Sequence, residues 1–463
     1  MTAPLPRAAR VPRRLLFTLA LGEMPEHIPS LREARHEGAV PASRIDGGPI
    51  DRLLSHHGGA ARALRLHSAR VTRQQRPGVP GVHRFDEVEQ LSGVARVLRV
   101  ELADDAGVEA AAKALALVPR VERAMPDRVS ITPFDAAPAL ARNRLDPVAA
   151  RRPRQQVRLP QALAMQHGDP SVVIGLADTG VARRHAELDH RLRPGFDAVD
   201  LEAASLSGMT MVGAPRRADG TVEDEVGHGS ACAGILRAGG GGMPPGAAGL
   251  CGLTPARVLG AALQGGRRVG VGALADIDAG MKRLVDLGVR VVNMSFGTPE
   301  SALGTDDPRP HAEVVRYALA RGVILVAASG NSGQEERYYP AAHDGVIAVG
   351  AVDGDGQPCP FSTRGAHVAL CAPGHDIWTC GLDGYDRVSG TSFAAPFVAA
   401  VCALLVAEAD RLAAPLDPDT ARDILVESAA LFAAHEDGCG AGVLDACAAL
   451  LALDRRIDAQ PPG

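Results

Sequence analysis

The spacing of hydrophobic positions changes character near residue 158. Before that point apolar stretches are short and interrupted. Residues 94–102 (VARVLRVEL) end in the alternation of a half-exposed strand, 106–117 suit a helix, and a further strand is expected around Val121. Residues 14–21 are read as a first strand. Together these elements predict a small α+β domain over 1–130. Residues 131–157 are rich in proline, arginine and alanine, offer little to a core, and are expected to form a solvated linker.

From residue 158 the pattern is different. Largely apolar runs at 172–177, 258–263, 289–294, 323–328 and 346–352 are separated by longer stretches, of which 273–287 and 311–321 have helical character. Buried apolar strands joined through helices predict an α/β fold with a doubly wound, mostly parallel sheet, here over 158–452, leaving 453–463 as a tail. Right-handed crossovers would then gather functional groups at the carboxyl ends of the strands.

Composition narrows the function. The formal net charge of −5 gives no general attraction to nucleic acid or to an anionic membrane, and only 3% of residues are aromatic, too few for a stacking surface. No uninterrupted run of 18 apolar residues occurs, so no membrane-spanning helix is expected. Arg7 to Arg14 followed by an eight-residue apolar stretch imitates a signal peptide, but Glu23-Met-Pro-Glu stands where small residues should mark a cleavage site. The expectation is a cytoplasmic protein, with secretion as the alternative. Eight cysteines include no CxxC pair, which excludes zinc-ribbon and thioredoxin-type sites. Free thiols are expected, with a Cys439–Cys447 disulfide left open, and Cys402 is read as a buried apolar residue.

Four segments carry candidate chemistry. An apolar strand ends in Asp178-Thr-Gly180; His228 stands between two glycines ahead of a run of small residues; an apolar strand ends in Ser329-Gly-Asn331; and Ser392, in Ser389-Gly-Thr-Ser392-Phe-Ala-Ala-Pro396, opens an apolar helix. Each has an ordinary structural explanation: a helix-capping aspartate, a loop histidine, a turn asparagine, a serine N-cap. Their combination is less ordinary. A strand-end acid, an exposed imidazole, a carboxamide and a hydroxyl at a helix start are the groups that acyl transfer requires.

With ADTG, GHGSACAG, NMSFG, AASGNSG, FSTRG, CAPG and SGTSFAAP in this order over residues 158–450, the sequence resembles the subtilisin-like serine proteases, the subtilases. The resemblance implies a serine endopeptidase in which Ser392 attacks, His228 transfers the proton, Asp178 orients the imidazole and Asn331 stabilises the oxyanion. It also implies that Ser295, Phe296, Gly297, Ser329 and Gly330 hold an extended peptide by strand addition. Cys232 resembles the thiol that some members carry near the catalytic histidine. Ser230, Ala231, Phe393 and Phe397 depart from residues common in the family, yet none removes a catalytic group.

Residues 1–130 resemble a subtilase propeptide more loosely, which implies an inhibitory partner attached in cis whose tail enters the cleft and is cut within 131–157. A permanently attached recognition domain is the alternative. No cofactor is implied. Calcium sites are common in the family, but no ligand loop here is assignable, and no HExxH metal motif occurs. Glu335 and Glu336 follow Asn331 and are read as a solvated loop rather than a selector for basic side chains. Two further functions stay open: a dedicated maturation protease or macrocyclase using the same groups, and a catalytically silent peptide-binding module.

Overall fold

The computed structural model describes residues 9–70, 85–132, 145–201, 206, 209–214, 220–304, 306–434 and 436–459. The larger unit is built on seven parallel strands in the order Val368–Pro373, Val346–Val352, Ile324–Ala328, Val291–Met294, Val173–Asp178, Gly252–Arg257 and Phe196–Asp197. Helices cover both faces. His228–Arg237 and Thr391–Arg411 pack on one, and Leu274–Asp286 and Ala312–Ala320 on the other, with separate apolar cores beneath them. From Val173–Asp178 the chain adds Gly252–Arg257 on one side and Val291–Met294 on the other, so a crevice opens at the end of the Asp178 strand.

Thr391–Arg411 is long and apolar enough to cross a membrane, yet it is buried along its length as the central core helix. All eight cysteines are buried and unpaired. Cys439 lies against Cys371, whose thiol contacts its carbonyl at 3.3 Å, while Cys447 Sγ lies 3.8 Å from the Met165 sulfur.

The N-terminal unit is an antiparallel sheet of Ala61–Arg65, Val97–Leu102, Arg10–Leu19 and Val121–Ile131, with Val108–Leu115 packed against it. This sheet does not stop at the domain edge. Val121–Ile131 pairs with Arg267–Ala273 of the larger unit, which continues to Gly260–Gln264 and Thr210–Met211, making a second seven-stranded sheet.

Several expectations need correction. The first strand is Arg10–Leu19 rather than 14–21. Part of the expected linker, 133–144, lies outside the described residues, but Pro147–Gln156 is a helix, capped by Asp146, that buries Ala150, Pro153 and Arg154. The run at 258–263 is not a strand of the parallel sheet; that place belongs to Gly252–Arg257, and Gly260–Gln264 pairs in the other sheet. Residues 453–458 belong to the helix Ala446–Asp458, with Leu453 buried, and are not a tail.

Charged groups fasten the two units together. Across the junction, Arg35 and Arg99 reach Asp200 Oδ2 at 3.0 and 2.7 Å and Arg14 donates to the Asp200 carbonyl at 3.1 Å; within the larger unit the Asp200 N–H donates to Asp276 at 2.7 Å. Lys282 meets Glu89 at 2.7 Å and Arg123 meets Glu313 at 2.9 Å. Burial pushes the Asp276 carboxyl up to about 6 despite the pull of Arg14, Arg35 and Arg99, with Asp127 adding to the rise. Its folded-state value therefore lies above the 3.8 of a free aspartate. The folded chain binds the extra proton between those values, so this group favours folding more as pH falls from 6 toward 4 and opposes it above 6. Asp276→Asn is expected to stabilise the chain at pH 8 by on the order of 1–3 kcal/mol. Its thermal midpoint should also vary less with pH between 4 and 6; a midpoint at pH 8 equal to wild type would contradict this.

Candidate active site

The site forms where three element ends meet. Val173–Asp178 is buried throughout and delivers Asp178 at its carboxyl end, where Oδ1 accepts the Thr179 N–H at 2.7 Å. His228 opens its helix immediately after Gly227, whose φ of 102° lies in the left-handed region that glycine tolerates. The next residue, Gly229, must also lack a side chain. A Cβ there would stand 2.1 Å from the Gly180 carbonyl oxygen and 3.2 Å from Asp178 Cβ. That close approach brings His228 Nδ1 to 2.7 Å from Asp178 Oδ1. The bond places the imidazole proton on Nδ1 and directs Nε2 to the opposite side of the ring.

Asp224 holds this arrangement in place. One of its carboxylate oxygens accepts from Thr179 Oγ1 at 2.9 Å and from the Val226 and Gly227 N–H groups. The other accepts from Ser230 N at 2.9 Å and Ser230 Oγ at 2.7 Å. Thr179 Oγ1 in turn accepts the Gly229 N–H at 2.9 Å. One buried carboxylate thus joins the residue after Asp178 to both flanks of His228.

Ser392 is the second residue of its helix, where backbone N–H groups have no intrahelical acceptor. Pro396 lies in the second turn. It has no N–H to give the Ser392 carbonyl four residues earlier. That carbonyl accepts instead from Ser295 Oγ at 2.8 Å and Cys232 Sγ at 3.5 Å. The proline therefore frees the one acceptor that ties the serine to the 291–294 strand end and to the histidine helix. Ser392 Oγ donates to the Ser295 carbonyl at 3.3 Å, and the His228 ring lies 5.4 Å, centre to centre, from Phe393.

Asn331 closes the other side. Its Oδ1 accepts from Thr391 N and Thr391 Oγ1, both at 2.9 Å, which fixes the carboxamide beside Gly390 and directs its NH₂ away from those donors. Gly330 N–H reaches Thr391 Oγ1 at 3.3 Å, and Ser329 Oγ donates to the Thr363 carbonyl at 3.1 Å. Phe296 turns its ring into the core, leaving its neighbour Gly297 as a backbone edge. Of the nine candidate site residues, eight lie at this crevice, whereas Phe296 contributes only backbone there and sends its ring into the core against His311. Asp224, Thr391 and the role of Pro396 were missed; the visible signal was an acid four residues before His228.

The profile of the subtilase family matches residues 169–444. The chain belongs to the subtilase family. Thermitase of Thermoactinomyces vulgaris is 31% identical over 256 residues, covering 55% of this chain and 81% of thermitase. Among solved structures, the protease domain of PatA shares 28% identity at a TM-score of 0.50, over 62% of this chain and 97% of that one. The prenylagaramide maturation protease PagA has the same fold, with a TM-score of 0.52 at 24% identity over 64% and 98% of the two chains. This subtilase is a serine endopeptidase by family, with the α/β fold that its sequence pattern predicts.

Among the described residues, Asp178, His228 and Cys232 form a buried group whose ligand atoms lie within 4.8 Å of one another. Burial, reinforced by Asp178, pushes the Cys232 thiol well above its usual range, so it stays protonated at neutral pH. A mercurial is expected to abolish peptidase activity in wild type and to spare Cys232→Ala; full activity with Cys232 stoichiometrically labelled would refute it. Asp224→Asn cannot accept on both oxygens, so kcat is expected to fall about 100-fold from misplacement of the imidazole. An unchanged kcat in a folded variant would show that Asp224 does not position it.

Proposed function

We propose that this subtilase is a self-processing endopeptidase held inactive by its own N-terminal unit. The observation that carries the reading is the course of the chain after Val121–Ile131. Ile131 and Thr132 run between two backbone edges: Gly297 N–H donates to the Ile131 carbonyl at 3.4 Å, and Thr132 N–H donates to the Gly270 carbonyl at 2.9 Å. Gly270 N–H returns a bond to Thr132 Oγ1 at 3.0 Å. Ser130 Oγ adds a contact with Thr298 Oγ1 at 2.7 Å. An extended peptide substrate would be bound by the same two rows of donors and acceptors.

In the proposed reaction, His228 Nε2 takes the proton of Ser392 Oγ as that oxygen attacks the scissile carbonyl. The resulting oxyanion receives hydrogen bonds from the Asn331 NH₂ and the Ser392 N–H. The imidazolium, stabilised by Asp178, then protonates the leaving amine and the C–N bond breaks, giving an acyl-enzyme. Water enters, loses a proton to His228 and attacks the ester; the acid product leaves and Ser392 regains its proton. No step needs a metal or cofactor.

The strand is engaged up to Thr132 and a docked helix follows from Pro147, so cleavage is expected between Thr132 and Leu145. A lasting N-terminal domain is the second reading, favoured by the buried ion pairs that join the two units. Intact mass and fluorophosphonate labelling, wild type beside Ser392→Ala, test both. Loss of a triad member typically costs about 10⁴ to 10⁶ in rate. Labelled, cleaved wild type beside an unlabelled, whole mutant is the expected result. A labelled chain that stays whole would instead make the N-terminal unit permanent, and no labelling after trypsin has removed that unit would make the protein a silent peptide binder.

A further inference from the structure

The side chain of the residue whose carbonyl is attacked needs somewhere to go. That carbonyl must meet Ser392 Oγ with its oxygen toward Asn331, so the side chain is directed between the Gly297 edge and the Ser329-Gly330 turn leading into Asn331. Glycine at both walls would leave an open slot. One side chain occupies it. A Cβ placed on Gly297 would stand 3.3 Å from Tyr338 Cδ1, and one placed on Gly330 would stand 2.6 Å from Tyr338 Cδ2 and 2.7 Å from Cε2. The two sides of a single phenol ring therefore abut the two walls.

The ring is anchored from its backbone. Tyr338–Tyr339 pairs antiparallel with Thr298–Pro299, Tyr338 opposite Pro299, directly beyond the Gly297 wall. Burial, with Glu336 nearby, pushes the phenol up to about 12, so the ring carries no charge at working pH. Glu335 is exposed, and the Glu336 carboxylate accepts from Ser301 Oγ. The loop acids are thus solvated or engaged elsewhere, while Tyr338 fills the space itself.

We propose that Tyr338 is a specificity-determining residue that plugs the recess beside the nucleophile, so that the enzyme cuts after residues with little or no side chain: glycine, alanine or serine. The inference rests on the reading of Ser392 as the nucleophile. Large aromatic, branched and long basic side chains at that position must displace a packed ring before the carbonyl reaches Ser392. The natural substrates are accordingly peptides with a small residue immediately before the cut.

The test compares kcat/KM for peptides that differ only at that residue (Ala, Leu, Phe or Arg), with active sites counted by fluorophosphonate so that unfolded protein is not scored. Wild type is expected to favour Ala over Phe by roughly 10–200-fold. Tyr338→Gly should raise the Phe-to-Ala ratio at least about tenfold, the scale of a vacated hydrophobic pocket. Tyr338→Phe keeps the ring and should retain the wild-type ratio. Labelled wild type that cuts after Phe as well as after Ala, or a labelled Tyr338→Gly with an unchanged ratio, overturns this inference alone. Failure of wild type to label overturns the catalytic reading and the inference with it.

Discussion

The structure depends most on one hydrogen bond, 2.7 Å long, between two side chains that solvent does not reach: Asp178 and His228. A carboxylate fully removed from water is costly unless donors replace its hydration. The surrounding elements are arranged to supply them. The strand must end at Asp178 so that Thr179 can turn its N–H back, and the helix must begin at His228 with glycine next in line so that it can lie against the strand. Asp224 then repeats the arrangement in the layer behind, a second buried carboxylate receiving five donors. Both carboxylates constrain the same few residues, so the imidazole has little freedom to leave its place.

Much of this was legible in the sequence, and the exceptions have physical causes. Runs such as 323–328 and 346–352 are apolar at every position because helices cover both faces of their sheet, and they read correctly as parallel strands. The strand Gly252–Arg257 did not, because it contains Pro255 and a fully buried arginine. Arg257 is made tolerable there by Asp197 at 2.9 Å, Glu225 at 3.2 Å and the Ala214 carbonyl at 2.6 Å, partners far away in sequence. By hydrophobic pattern alone the apolar run just after it reads more plainly as a strand, although the likeness of GLTPARVLGAAL (252–263) to the subtilase strand after the catalytic-histidine helix does span the true position. The helix Pro147–Gln156 was hidden for a related reason. Its buried face is Ala150, Pro153 and Arg154, with the Arg154 guanidinium 5.9 Å from the Phe397 ring centre, so it shows no apolar stripe.

The candidate site divides in the same way. Residues that present a reactive group at an element end announce themselves through flanking glycines and abrupt changes in polarity. Those that hold them do not. Asp224 stands between two glutamates and looks like a solvated acid until the fold brings Thr179 to it. Pro396 looks like a helix-start proline until its missing N–H is matched with the carbonyl that Ser295 and Cys232 claim. Tyr338 follows a loop whose composition says only that it is polar, and the two-residue strand it opens is too short to show a pattern.

The shared sheet has a kinetic meaning as well. On the proposed self-processing reading, an incoming peptide would need the hydrogen-bonding row on Gly270–Ala273 that Val121–Ile131 occupies, and the two would be rivals for one edge. While the chain is continuous, that rival is tethered and acts at an effective concentration set within one molecule rather than at its bulk concentration. After a cut beyond Thr132 that advantage would be lost, and the N-terminal unit would become an ordinary dissociable ligand, subject to dilution and to its own removal. Breaking one peptide bond would thus change the molecularity of inhibition without altering a single contact in the interface.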